Sequence, residues 1–167
     1  HTGNWAGKTV ETAQGIYTYK NTNYILCDIP GTYSLKARSP EEEVARDFIC
    51  FGEPDCVVVV CDATCLERNL NLVLQTLEIT ENVVICVNLM DEAKKHKINI
   101  NLKKLSKKLG IPVVGTVARS GKGIYELIKN IEASVKEKKN VFKPRYTRDI
   151  EDAISILDEI REIERKR

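Results

Sequence analysis

Net charge is almost missing from this sequence. Over 167 residues, 26 Lys and Arg stand against 24 Asp and Glu, which leaves +2. That balance argues against a polyanion-binding surface, and so against nucleic acid as the main partner. No apolar run approaches the roughly 18–20 residues of a membrane span. The opening residues His1-Thr2-Gly3-Asn4-Trp5 supply neither a basic region nor an apolar core, so no signal peptide is expected. Histidine is scarce, and His1 and His96 lie far in sequence from the cysteines. None of the cysteines, Cys27, Cys50, Cys56, Cys61, Cys65 and Cys86, forms a C-x-x-C pair, so zinc-type spacing is absent. Internal repeats and low-complexity tracts are lacking too. The rest is ordinary: hydrophobic residues make up 43% and charged residues 30%, which suits a soluble globular domain and excludes disorder. The length suits one domain, with at most a short appendage. Most cysteines sit in apolar runs such as Cys56-Val57-Val58-Val59-Val60-Cys61. This predicts reduced core thiols in a cytoplasmic protein, with a metal role for Cys61 and Cys65 as the alternative.

Strand-like and helix-like segments alternate along the chain. Residues 15–20 and 24–28 read as two strands joined by the polar turn Asn21-Thr22-Asn23. Ser39-Pro40-Glu41-Glu42-Glu43 is a helix start: Ser39 caps, Pro40 suits the first helical position, and three carboxylates meet the positive end of the dipole. That helix is expected to reach Phe51. Residues 55–62, with four consecutive valines, read as a strand buried on both faces. Helix over 64–80, strand over 83–89, a short helix around Leu102 to Leu109, strand over 112–116 and helix over 123–137 follow. The order predicts an α/β fold with a mostly parallel sheet. Residues 139–146 read as a linker with Pro144 as breaker, and 147–167 as one charged helix with an apolar stripe. Lys94, Lys95, Lys103, Lys104, Lys107 and Lys108 read as a solvated face, with an anionic membrane surface as the alternative contact.

Parallel α/β sheets bind ligands at the carboxyl ends of their strands, and three short motifs stand there. In Asp28-Ile29-Pro30-Gly31 the Asp can hold a hydrated Mg²⁺, and the Gly admits a backbone N–H to a terminal phosphate. A plain Pro-Gly turn is the competing reading. In Asn88-Leu89-Met90-Asp91 the carboxylate can accept two hydrogen bonds from guanine N1–H and the 2-amino group, a donor pair adenine lacks. Asn88 can bond N7 and tie loops together. The competing reading makes Asp91 a helix cap, and the two roles are compatible. In Thr116-Val117-Ala118-Arg119 the Ala118 N–H can reach guanine O6, or the segment is an ordinary strand-to-helix loop.

With these motifs in this order, the chain resembles the cytoplasmic GTPase domain of the ferrous-iron transport protein B (FeoB) family, within the Ras-like GTPase superfamily. The resemblance runs from Gly3 to about Leu127 and includes linking sequence, as in Asp62-Ala63-Thr64-Cys65-Leu66-Glu67-Arg68-Asn69-Leu70. It implies that Gly7, Lys8, Thr9, Val10 and Glu11 belong to the first switch, with Thr9 on Mg²⁺. It makes Asp28, Ile29, Pro30 and Gly31, continuing into Thr32, the phosphate-sensing loop. It gives Asn88, Leu89, Met90 and Asp91, with Val117, Ala118 and Arg119, to the guanine. The implied activity is GTP binding with Mg²⁺ and slow hydrolysis to GDP. Thr32 stands where many Ras-like enzymes carry a water-orienting Gln.

The phosphate-binding loop G-x-x-x-x-G-K-[ST] is absent from the sequence: Thr2 stands five residues before Gly7, and Gly121-Lys122 is followed by Gly123. The expectation is therefore a Ras-like fold without its central first strand, loop and first helix, reading as a fragment that binds GTP weakly or not at all. Residues 1–138 would be the GTPase domain and 147–167 the start of a helical domain. The resemblance further implies a membrane domain that moves Fe²⁺, with this segment on the cytoplasmic face of the membrane and GTP, GDP and its own further domains as partners; an oligomer is compatible. The alternatives are another Ras-like GTPase, acting on ribosomes or tRNA, and a non-catalytic interaction module on a degenerate GTPase fold.

Overall fold

A computed structural model describes residues 2–3 and 12–136, with backbone alone for 2, 3 and 12. Gly7 to Glu11, the 139–146 linker and the 147–167 helix lie outside the described residues.

The chain first forms an antiparallel ribbon. Strand β1 (Thr2–Gly3) pairs with β2 (Thr12–Tyr19), and β2 with β3 (Thr22–Asp28). The hairpin turn is Lys20-Asn21, both at positive φ (46° and 61°), rather than Asn21-Thr22-Asn23. Two left-handed residues match the twist of the flanking strands, and Tyr19 then faces Thr22 in register. Helix α1 (Pro40–Phe51) starts as read: Ser39 Oγ accepts from the Glu42 N–H at 3.2 Å, and Glu42 reaches back to the Arg38 N–H at 2.9 Å.

A parallel sheet follows, in the order β4 (Val57–Asp62), β5 (Val83–Asn88), β6 (Val113–Gly115). Helix α2 (Leu66–Ile79), entered through a 3₁₀ turn at Ala63–Cys65, carries the chain from β4 to β5. Helices α3 (Met90–Lys95) and α4 (Leu102–Leu109) carry it from β5 to β6, and α5 (Ile124–Lys136) packs against β5. The fold is thus α/β with a parallel sheet, as expected. Strand β5 is central and buried at Val83 through Val87. Val73 and Leu77 of α2 close one side of the core, and Leu109 and Ile111 extend it.

Strand β4 departs from the reading of burial on both faces. Val59 and Cys61 are buried, but Val60 is 64% exposed. The reason is position: β4 pairs with β5 on one side and with no strand on the other among the described residues. The ribbon is similarly bare, with Ile16 and Ile25 exposed. The cysteines divide as well. Cys61 and Cys86 are buried, Cys27 and Cys56 half-buried, Cys50 and Cys65 exposed. The core reading thus holds for two, and no cluster of three metal-ligating side chains exists among the described residues. The lysines of α3 and α4 are exposed, as a solvated face requires.

Candidate functional site

The site is built from the carboxyl ends of β5 and β6. Pairing of Val87 with Gly115, continued by the Thr116 N–H on the Val87 carbonyl at 2.8 Å, sets the two strand ends side by side. Beyond them the chain turns sharply. Leu89 adopts the left-handed conformation (φ 62°) and α3 starts at Met90, whose N–H donates to the Thr116 carbonyl at 3.2 Å. A left-handed leucine is sterically costly, roughly 1–2 kcal/mol, and such residues gather at functional sites. Asp91 therefore sits inside the first turn of α3. It is not the cap, which corrects the competing reading of that residue.

Asn88 ties the two loops together. Its Oδ1 accepts from the Thr116 hydroxyl at 3.1 Å and from the Ala118 N–H at 3.0 Å. Thr116 is buried, and its hydroxyl also meets Cys86 Sγ at 3.3 Å. The Ala118 N–H, read as a donor to guanine, is thus directed at Asn88 in this state. Val117 and Arg119 lie on the same connection, which closes through Gly121 (φ 71°) and Gly123 (φ 84°).

Asp91 is the most polarised group of the cluster. Arg119 Nη2 makes a short ion pair to its Oδ2 and lies 3.6 Å from Glu92 Oε1. Oδ1 is shut off from solvent with no hydrogen-bond partner. Desolvation pushes the carboxyl up, but the Arg119 charge and hydrogen bond, aided by the backbone N–H groups of Asp91 and Glu92, outweigh it. The carboxyl lies below its usual range and stays ionised at neutral pH.

The Asp28–Gly31 loop leaves the end of β3 with no hydrogen-bonded turn over residues 29–32, so the Pro-Gly turn is not formed. Asp28 is exposed, while Ile29 packs on the small core of Leu35, Ala45 and Ile49. At Gly31 an added Cβ would meet nothing within 4 Å. Neither packing nor a positive φ explains a glycine there, which leaves room on its outer side. Thr32 Oγ1 donates to the Ser34 carbonyl at 2.6 Å and accepts from the Ser34 N–H at 3.2 Å, so its hydroxyl serves a local turn.

Two residues that the sequence reading missed moor the following segment to α2. Gln75 Oε1 accepts from the Leu35 N–H at 2.6 Å, and the Arg68 guanidinium lies 4.3 Å from the Tyr33 ring centre. No local pattern marks either residue, since both act across more than thirty positions of sequence.

Comparison with known proteins agrees with this fold. The family model described as Ferrous iron transport protein B matches residues 1–131. A Porphyromonas gingivalis protein described as an "Fe(2+) transport protein A/Fe(2+) transporter FeoB fusion protein" is 38% identical over 95% of this chain, and the chain spans only 19% of its length. The cytosolic domain of T. maritima FeoB in a GDP form superposes with a TM-score of 0.85 at 36% identity, over 95% of this chain and 63% of that one. The same relative in a GMPPNP form superposes equally, with a TM-score of 0.85. The FeoB G-domain from Methanococcus jannaschii is 44% identical, with a TM-score of 0.72 over 74% of this chain and 80% of that one.

Proposed function

The chain belongs to the ferrous iron transport protein B family and corresponds to its G domain, and from that membership we propose that its strand-end loops form the guanine-recognising part of a nucleotide site that, in the whole protein with a phosphate-binding loop, hydrolyses GTP slowly to GDP with Mg²⁺, whereas this sequence, without that loop, binds nucleotide weakly and is inactive. The observation that carries the reading is the state of Asp91: ionised, with Oδ2 held by a guanidinium and Oδ1 lacking any partner. A carboxylate so placed suits two parallel N–H donors, which guanine presents and adenine does not. Asn88 would hold the loop carrying Ala118 and offer its amide to N7, and the Ala118 N–H would turn to O6. Leu89, Met90 and Val117 would frame the base, and Arg119 stands beside it on Asp91.

The phosphate side of the site is assigned on the same membership. Asp28 would take Mg²⁺ through water, with Thr9 as the direct ligand, and Gly31 would present its N–H to the γ-phosphate. Ile29 and Pro30 would fix that loop, and Gly7, Lys8, Val10 and Glu11 would belong to the segment that orders on GTP. Mg²⁺ would neutralise charge on the β- and γ-phosphates. With its hydroxyl engaged in a turn, Thr32 is a weak water-orienting group, which fits slow hydrolysis. No helix among the described residues is long and apolar enough to cross a membrane. In the whole protein, residues 1–138 would switch with the nucleotide at the cytoplasmic face of a membrane. A helical domain starting within 147–167 would relay that state to a Fe²⁺-conducting part.

The test is competition. With a phosphate-binding loop restored ahead of His1, labelled GDP bound to the domain should yield to unlabelled GDP but not to ADP at the same concentration, and Asp91→Ala should erase that difference. Equal displacement by ADP, or an intact preference in Asp91→Ala, refutes the guanine reading.

A further inference from the structure

Arg119 takes the acceptor that the base would need. A guanidinium and the N1–H/2-amino edge of guanine are alike: each sets parallel N–H donors in one plane, and each matches a carboxylate fork. In this structure Arg119 holds Asp91 Oδ2, while Oδ1 lies buried without a partner. One carboxylate cannot serve both forks. We propose that Arg119 is an internal competitor of the base: its ion pair occupies the Asp91 carboxylate, and guanine binds by displacing it. The inference rests on the reading of Asp91 as the guanine acceptor and adds its regulation.

Three further observations fit such a device. Arg119 is two-thirds exposed, so its side chain can swing away without disturbing the core. Glu92 Oε1, which accepts from Lys95 Nζ at 2.8 Å, lies 3.6 Å from the same guanidinium, a second carboxylate that Arg119 can share with Lys95 once the base has come in. Ala118, next to Arg119 on the same short 3₁₀ turn, likewise directs its N–H inward, to Asn88 Oδ1 at 3.0 Å. Two base-facing groups, the Asp91 carboxylate and the Ala118 N–H, are thus engaged through a single turn.

The magnitude follows from competition. The apparent dissociation constant rises by the inverse of the open fraction. An ion pair this exposed holds the pocket shut by only about a two- to fivefold factor. The penalty is the same for every base that needs Asp91. Inosine diphosphate, which keeps N1–H and lacks the 2-amino group, binds less tightly than GDP but meets the same competitor.

The experiment is an NMR titration of the domain, with a phosphate-binding loop restored ahead of His1, with GDP, IDP and ADP, for the wild type, Arg119→Ala and Asp91→Ala, with circular dichroism confirming that each variant is folded. Arg119→Ala should tighten GDP and IDP alike, by about two- to fivefold, and leave their ratio unchanged. In the wild type the Arg119 Nε–H resonance should move with GDP and hold its place with ADP. Unchanged or weaker GDP binding in Arg119→Ala overturns the proposal, as does an altered GDP-to-IDP ratio or an Arg119 resonance unmoved by saturating GDP. Asp91→Ala separates the two ideas. If it erases the preference for GDP over ADP while Arg119→Ala does nothing, the competitor fails and the guanine site stands. If it leaves that preference intact, the site itself fails.

Discussion

Gly123 is where the fold and the candidate site can be pulled apart by one methyl group. Its φ is +84°, and a Cβ there would lie 2.3 Å from the Gly115 carbonyl oxygen and 3.2 Å from Thr116 Cα. Gly121, two residues earlier, has φ +71° and nothing within 4 Å of its notional Cβ. The two glycines therefore share the left-handed strain and differ in the clash. Gly121→Ala should cost about 1–2 kcal/mol from backbone conformation alone. Gly123→Ala adds an overpacking term of about 1–3 kcal/mol, because the clashing atoms are backbone of β6 and its continuation and cannot rotate away. The displaced segment carries Thr116, whose N–H holds Val87 at 2.8 Å and whose hydroxyl holds Asn88 at 3.1 Å. Loss of stability should therefore come with a shifted Thr116 amide in Gly123→Ala and little shift in Gly121→Ala. Urea unfolding of both variants, fitted by linear extrapolation at a common slope, measures the difference directly. Equal losses in the two variants would show that the close approach of Gly123 to β6 is not what requires the glycine.

Two further outcomes follow from burial. The Cys61 thiol is pushed up to about 12, by burial first and then by the neighbouring Cys86 and Cys65. The folded chain keeps that proton while the unfolded chain releases it near pH 8.5, so this group's contribution to stability is complete below about pH 8.5 and is lost as pH rises toward the folded value. At pH 8 a thiol reagent should modify exposed Cys65 at once and Cys61 only on unfolding; simultaneous modification contradicts the burial. Strand β4 tests the bare sheet edge: Val60→Lys, at a 64% exposed position, should change stability by no more than about 0.5 kcal/mol and reduce self-association in sedimentation, whereas Val59→Lys, at 5%, should unfold the chain. A Val60→Lys protein that unfolds, or that associates as before, contradicts the assignment of that edge.

The fold was legible wherever local chemistry and long-range packing agree. Ser39 followed by Pro40 and three glutamates can start little other than a helix, and Val83 to Val87 can be little other than an inner strand. Legibility failed where a neighbour decides. Four valines in a row look alike in sequence, yet Val60 is 64% exposed, and among the described residues no strand pairs with the outer edge of β4. The hairpin turn moved by one residue because left-handed backbone at Lys20 and Asn21 satisfies the strand twist, and lysine carries no local signal for that conformation. The cysteines show the same limit: an apolar run predicts burial for Cys61, but Cys65 lies one helical turn on and faces solvent.

The candidate site shows why its frame could be read and its wiring could not. Asn88, Asp91 and Ala118 could be proposed from sequence, and lie beside one another in the fold, because strand ends are where a parallel sheet leaves backbone and short polar side chains open to a ligand. Which group each one touches depends on register between β5 and β6, and register lives in the pairing of Val87 with Gly115, 28 residues apart and silent in sequence. That pairing puts the 118–120 turn beside the first turn of α3, and so sets Arg119 on Asp91 and the Ala118 N–H on Asn88. The alternative of Asp91 as a helix cap failed for the same reason. The Met90 N–H goes to the Thr116 carbonyl across the sheet, α3 starts two residues earlier than a cap at Asp91 allows, and the carboxylate reaches Arg119 on the neighbouring loop.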